Sequence, residues 1–179
     1  MLRLEFDGLF RNTDSRHSSA GIMCYGWRIL RGKRVIAHGH GTFARGHNAN
    51  SNIAEYLALV EGLEALLDMG ISDEHIVVCG DAKSVICQMQ GLASVSSAAV
   101  KPLHTRAMRL ARHFENLRWQ WLPRKHNRGA DLLSRHALKH LWHDPVLYQS
   151  VISRLQSAIR AGLSNRLLDM GGLRVYQLA

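Results

Sequence analysis

His75-Ile-Val-Val-Cys-Gly-Asp81 is the stretch whose reading decides the fold. Its centre is an unbroken β-branched and apolar run with no polar alternation, which fits a short strand buried on both faces. Upstream, Ile53, Leu57, Val60 and Leu67 recur at helical spacing, and Gly70 supplies a C-terminal stop. Downstream, a helix is expected over about 82–90. A buried strand between two helices pairs in parallel through right-handed crossovers. The chain therefore reads as α/β.

Further out, Leu2 to Phe6 alternates apolar and charged residues and meets a turn signal at Asp7-Gly8. Residues 11–19 are polar and read as a loop. Gly21–Leu30 and Val35–Phe43 are strand-like and joined by the short break Arg31-Gly-Lys-Arg34, so three strands form an antiparallel meander. After the strand at 75–80 and its helix, a second helix is expected over about 98–114, with Arg106, Arg109 and Arg112 on its exposed side. Leu117–Leu122 alternates again and stops at Pro123, and a helix is expected over about 127–140. The sum is a mixed five-stranded sheet, a three-strand antiparallel meander plus two parallel strands, with helices on both faces. Residues 1–140 form this domain. Residues 141–179 are an extension, with an amphipathic helix marked by Leu147, Val151, Leu155 and Ile159 and a final strand over Leu173–Leu178. The extension helix packs on the core, binds the substrate as an arm, or makes a dimer contact. A monomer is the simpler expectation.

Lys and Arg number 23 against 14 Asp and Glu, a net charge of +9. With 46% hydrophobic and 21% charged residues the balance is globular, not that of a disordered chain. No apolar stretch approaches the roughly 18 residues of a membrane span, and the N-terminus lacks the apolar core of a signal peptide. The three cysteines, Cys24, Cys79 and Cys87, are odd in number and apolar in setting, which reads as free thiols in a reducing cytoplasm. The eleven histidines scatter along the chain with no zinc-like spacing. The basic excess predicts a polyanionic partner, with nucleic acid first.

Four of the scarce acids fall where the elements converge. Asp7 ends the first strand and Asp81 the fourth, which returns beside the first; Glu55 lies in the first turn of the first helix, and Asp131 opens the helix at 127. Open α/β sheets bind ligands beyond the carboxyl ends of their strands. Each acid has an ordinary alternative: Asp7 in a turn, Glu55 as capping partner of Asn52, Asp81 as an N-cap, Asp131 serving the helix dipole. Together, four carboxylates at one point repel unless a divalent ion neutralises them. Hard oxygen ligands suit Mg²⁺ or Mn²⁺, and a pair of such ions can clamp the attacking and leaving oxygens of a phosphodiester.

On Glu5-Phe-Asp-Gly8, Ser51-Asn-Ile-Ala-Glu-Tyr-Leu-Ala-Leu59, Gly80-Asp-Ala-Lys-Ser-Val85 and Trp121-Leu-Pro-Arg-Lys-His-Asn-Arg-Gly-Ala-Asp-Leu-Leu-Ser134, the sequence resembles the type 1 ribonuclease H family over about residues 1–140. The resemblance implies that family's fold and a metal-dependent endoribonuclease that cuts the RNA strand of RNA–DNA hybrids by two-metal-ion hydrolysis, leaving 5′-phosphate and 3′-hydroxyl ends. It implies that Asp7, Glu55, Asp81 and Asp131 are the catalytic metal ligands, with Glu55 also at the RNA 2′-hydroxyl. It places Gly8, Asn52, Lys83, Arg124 and Asn127 toward the substrate, with Asn12 and His126 as further candidates. Asn52 and Asn127 read equally as helix caps, and Trp119 and Trp121 as core packing.

Three departures stand out. His126 is only five residues before Asp131, unlike the loop histidine of some members; residues 90–100 hold no Lys or Arg; and the segment after Asp7 is longer than the usual turn. Another nuclease of the same broad fold, a junction resolvase or a 3′–5′ exonuclease, is the alternative, with a non-catalytic hybrid-binding module behind it.

Overall fold

The computed structural model describes residues 1–13 and 20–171. The sheet runs β5-β4-β1-β2-β3-β6. Its strands are β1 (Leu2–Asn12), β2 (Gly21–Arg31), β3 (Arg34–Arg45), β4 (Ile76–Gly80), β5 (Leu117–Trp121) and β6 (Leu168–Asp169). β1, β2 and β3 form the antiparallel meander, while β4 pairs in parallel with both β1 and β5. The buried strand β4 is thus the link that makes the sheet mixed.

Alternation assigns the two faces of β1. Leu2, Leu4 and Phe6 are fully buried against α1 (Ser51–Asp68). Glu5 and Asp7 point the other way and are also buried. Glu5 is neutralised by Arg3 at 2.9 Å and Arg28 at 2.5 Å. α1 is apolar nearly all round, because α3 (Lys101–Ala111) lies against it as well as the sheet. α2 (Lys83–Met89) follows β4. On the opposite face lie α4 (Arg128–His143) and α5 (Pro145–Arg160). There Val151 and Leu155 of α5 share a second, smaller core with Ile22, Cys24, Leu138 and Leu141.

Several boundaries differ from the sequence expectation. β1 does not turn at Asp7-Gly8: Gly8 pairs with Tyr25 and the strand continues to Asn12, into the stretch read as a loop. The glycine serves a close approach. A Cβ on Gly8 would sit 2.2 Å from the Ala54 carbonyl carbon and the Glu55 nitrogen of α1. The sheet has six strands, since the two residues of β6 pair with Phe43 and Ala44 at the edge of β3. The strand expected at Leu173–Leu178 lies outside the described residues. α3 begins at Lys101 because residues 97–100 form a turn and Pro102 sits in the first helical turn. α4 runs on to His143 and gives way to α5 at Asp144, whose side chain accepts from Leu147 N at 3.0 Å.

Candidate active site

Asp7, Glu55 and Asp81 each offer a carboxylate oxygen, and these atoms all lie within 4.8 Å of one another. Three elements bring them there. Asp7 stands on β1, Asp81 just beyond β4 beside it, and Glu55 one turn into α1 rather than in its first turn, where Gly8 lets the helix touch the strand. The helix cap is Asn50, whose side chain accepts from Ile53 N at 3.1 Å. Asn52 is therefore not the cap, and Glu55 is not held in a capping box. Asp81 is not a cap either, because α2 starts after Ala82 with no side-chain cap bond.

Groups from β1, β5, α4 and the residue before α4 support the well. Ser134 Oγ of α4 donates to Asp7 Oδ2. The Gly8 N–H donates to Glu55. Asn127, fully buried, donates from Nδ2 to the Phe6 carbonyl at 2.8 Å and lies 3.4 Å from Asp81 Oδ1. Trp121 Nε1 donates to the Asp81 carbonyl at 3.0 Å. Trp121 is therefore not core packing: the residue is 44% exposed, with Lys83 Nζ 6.0 Å from the ring centre. Asn127 occupies the N-cap position of α4, but its side chain makes no cap bond.

Burial dominates the electrostatics. It pushes Asp7 up to about 6; the Ser134 bond opposes this, and Asp81 and Asp131 add to it. Burial also raises Glu55 well above the usual carboxylate range, with Asp7 and Asp81 adding repulsion. Glu55 Oε2 is buried without a hydrogen-bond partner among the described residues. A buried acceptor without a donor, beside two more carboxylates, fits a divalent cation bound by oxygen ligands.

Asp131 is outside the three-acid group. Its oxygens are taken by Arg124 Nη2 at 2.8 Å and Arg135 Nε at 2.7 Å. Burial works to raise it, but these hydrogen bonds outweigh that and hold its carboxyl below the usual range. It is near enough to act electrostatically on Asp7.

The family model described as reverse transcriptase-like matches residues 5–137. The chain belongs to that family, among the type 1 ribonucleases H. It is 32% identical to ribonuclease HI of Halobacterium salinarum over 134 residues, 74% of this chain and 62% of that protein. The crystal structure of an RNase H1 from that archaeon covers 78% of this chain and 98% of its own, at 30% identity and a TM-score of 0.67. The N-terminal RNase H domain of a Mycobacterium tuberculosis protein covers 79% of this chain and 96% of its own, at 28% identity and a TM-score of 0.67. The chain spans 24% of the length of the bifunctional protein of that species, which it matches at 32% identity over 90 residues, 50% of this chain.

Within this ribonuclease H frame, the remaining candidates stand on several elements. Asn52 is exposed and accepts from Ser84 Oγ at 3.3 Å, linking α1 to α2. Lys83 opens α2. Arg124 and His126 lie in a single 3₁₀ turn over 124–126. Arg124 is 67% exposed, and its charge acts on both Asp7 and Glu55. Asn12 is exposed at the far end of β1, opposite Gly21.

Two residues escaped the sequence reading. Ser134 is a polar residue on the buried stripe of Ala130, Ala137, Leu138 and Leu141, and that misfit was its signal. Gly26 lies inside an apolar strand, which marks a close backbone approach. A Cβ there would meet Ser134 N at 2.5 Å and Ala130 O at 2.7 Å, so Gly26 seats α4 on the sheet.

Proposed function

We propose that this chain hydrolyses the RNA strand of RNA–DNA hybrids with Mg²⁺ or Mn²⁺, leaving 5′-phosphate and 3′-hydroxyl ends. The three-carboxylate well carries the reading. Asp7, Glu55 and Asp81 would hold the metal, and Asp131 is the candidate fourth ligand. Bound divalent ions supply Lewis acidity to a phosphodiester hydrolysis. The chain's own residues do the rest. Ser134 and the Gly8 N–H orient Asp7 and Glu55; Asn127 and Trp121 fix Asp81 from its side chain and its carbonyl. Arg124, exposed at the rim, is placed to meet a substrate phosphate. Asn52, Lys83 and Gly8 are the candidate substrate contacts from α1, α2 and β1, with the fully buried Asn127 acting through Asp81; Asn12 and His126 are further candidates. Glu55 is the candidate contact to the 2′-hydroxyl, the group that tells RNA from DNA.

Residues 1–140 form the proposed catalytic unit, with 141–179 as its extension. No described helix is long and apolar enough to cross a membrane. The free thiols Cys24, Cys79 and Cys87 support a reducing, cytoplasmic setting. A labelled RNA–DNA hybrid incubated with and without Mg²⁺, beside single-stranded RNA and branched DNA, tests the reading. Mg²⁺-dependent cuts confined to the RNA of the hybrid are expected. Cutting of branched DNA alone would make the chain a resolvase, and binding without cutting a non-catalytic module.

A further inference from the structure

The fold gathers four of the eleven histidines that scatter through the sequence. His38 and His40 are two apart on β3, so both face the α4 side of the sheet. His136 and His140 are four apart on α4, so both occupy one flank of that helix. The two pairs meet. The rings of His40 and His136 are edge to face with centroids 4.9 Å apart. His40 and His140 line the same cavity of about 250 Å³, walled by Leu141, Leu147, Val151 and Met170. Among the described residues no carboxylate lines that cavity. His40 is 8% exposed, and its Nδ1 is buried with no hydrogen-bond partner among the described residues; His38 Nδ1 is in the same condition.

Buried ring nitrogens without partners are costly and call for a donor or a cation. Imidazole is the ligand of Zn²⁺ and its borderline neighbours, whereas Mg²⁺ prefers oxygen. We propose that His38, His40, His136 and His140 form a binding site for a Zn²⁺-type transition-metal ion, separate from the acid well. His38 and His40 are the fixed half, set by the strand. His136 and His140 are exposed and complete the site by turning their rings toward the strand. This rotation is required: among the described residues the three carboxylates are the only group whose ligand atoms already converge. Gly26 pairs with Asp7 on one side and His40 on the other. With α4 seated on Gly26, Ser134 holds Asp7 on one flank while His136 meets His40 on the other. The ion would tie α4 to β3, the strand that α4 shares with the edge of the sheet.

The test uses the full chain without a histidine tag. Co²⁺ serves as the spectroscopic probe, titrated in excess Mg²⁺ so that the hard ion occupies the oxygen ligands. One equivalent of Co²⁺ is expected to give a visible d–d band of imidazole coordination, displaced by Zn²⁺. The band should vanish in the double variant His136→Ala/His140→Ala, whose exposed positions leave the fold intact, as circular dichroism would verify. It should persist in Asp81→Asn and in His143→Ala. Absence of the band in the parent, its survival in the double variant, or its loss in Asp81→Asn would each overturn the proposal.

Discussion

The two flanks of α4 show one physical problem solved in two ways. On one flank three carboxylates crowd together; on the other, four imidazoles do. In both, burial favours the neutral form, so Asp7 is pushed up to about 6 and His40 down to about 4. For His40 the neighbouring imidazoles of His136, His38 and His140 add to burial. The difference lies in the supports. In the acid well Gly8 of β1, Ser134 of α4 and Asn127 each reach one carboxylate and Trp121 holds the Asp81 carbonyl, so each acid has a support before any ligand arrives, with Glu55 Oε2 left over. The histidine flank has two buried nitrogens without partners and two exposed rings. A preorganised site is what chemistry needs. A looser one suits an ion that ties elements together.

Asp81→Asn tests the well with the largest effect. The asparagine Oδ1 can still accept from Asn127, and the Trp121 bond goes to the backbone, so the fold should stand. Hybrid cleavage should fall by about a thousandfold or more, roughly 4 kcal/mol in the barrier, with hybrid binding retained. A near-normal rate in a quench-flow assay would remove the metal assignment.

Gly26→Val strikes both flanks at once. The new side chain collides with the α4 backbone, so the urea midpoint should show a loss of about 3 kcal/mol, together with reduced cleavage. An unchanged midpoint would mean that α4 does not sit where the glycine lets it.

Acidification separates the flanks by sign. In chelator, His40 resists protonation when folded but accepts it near 6.5 when unfolded, so its contribution is full above 6.5 and lost as the pH falls toward 4. Asp7 does the opposite: folded, it holds its proton up to about 6, so stability falls as pH rises from about 4 to 6. Displacements of this size correspond to at most about 3 kcal/mol each, and they offset one another in the parent. Asp7→Asn should therefore make the protein more acid-sensitive between pH 6.5 and 4, read by thermal melting. Equal acid sensitivity in parent and variant would refute the opposition.

Arg135→Ala is the smallest test. Arg135 is 52% exposed and pairs with Asp131 one helical turn away. Its loss should move the urea midpoint by no more than about 0.5 kcal/mol. Arg124→Ala, by contrast, should weaken hybrid binding, because the same carboxylate then loses the arginine that faces the well. Equal effects of the two substitutions would show that Arg124 has no special place.

Much of the site was legible because it lies on local patterns. The strand ending at Asp81, the helix carrying Glu55 and the alternation through Asp7 are each readable within a dozen residues. What escaped depended on contacts across the chain. Gly8 looked like a turn because a glycine required by a neighbouring helix and one required by a bend are the same letter. Trp121 looked like core because alternation assigns a face but not its cover. Asp131 stands at the helix opening expected of it, but that its oxygens engage Arg124 and Arg135 and lie outside the three-acid group was not legible. The histidines looked scattered because β3 and α4 are about ninety residues apart in sequence, and only strand order and helix seating make them neighbours.

The sequence by itself determined which segments are strands and helices, that the sheet is mixed, and which acids stand at element ends. Hydrophobic periodicity and turn chemistry are short-range, and they suffice for that. Only the tertiary structure decided which oxygens converge, which arginines intervene and which imidazoles meet. Those outcomes depend on ångström-scale backbone approach at Gly8 and Gly26, and on strand pairings that no local pattern encodes.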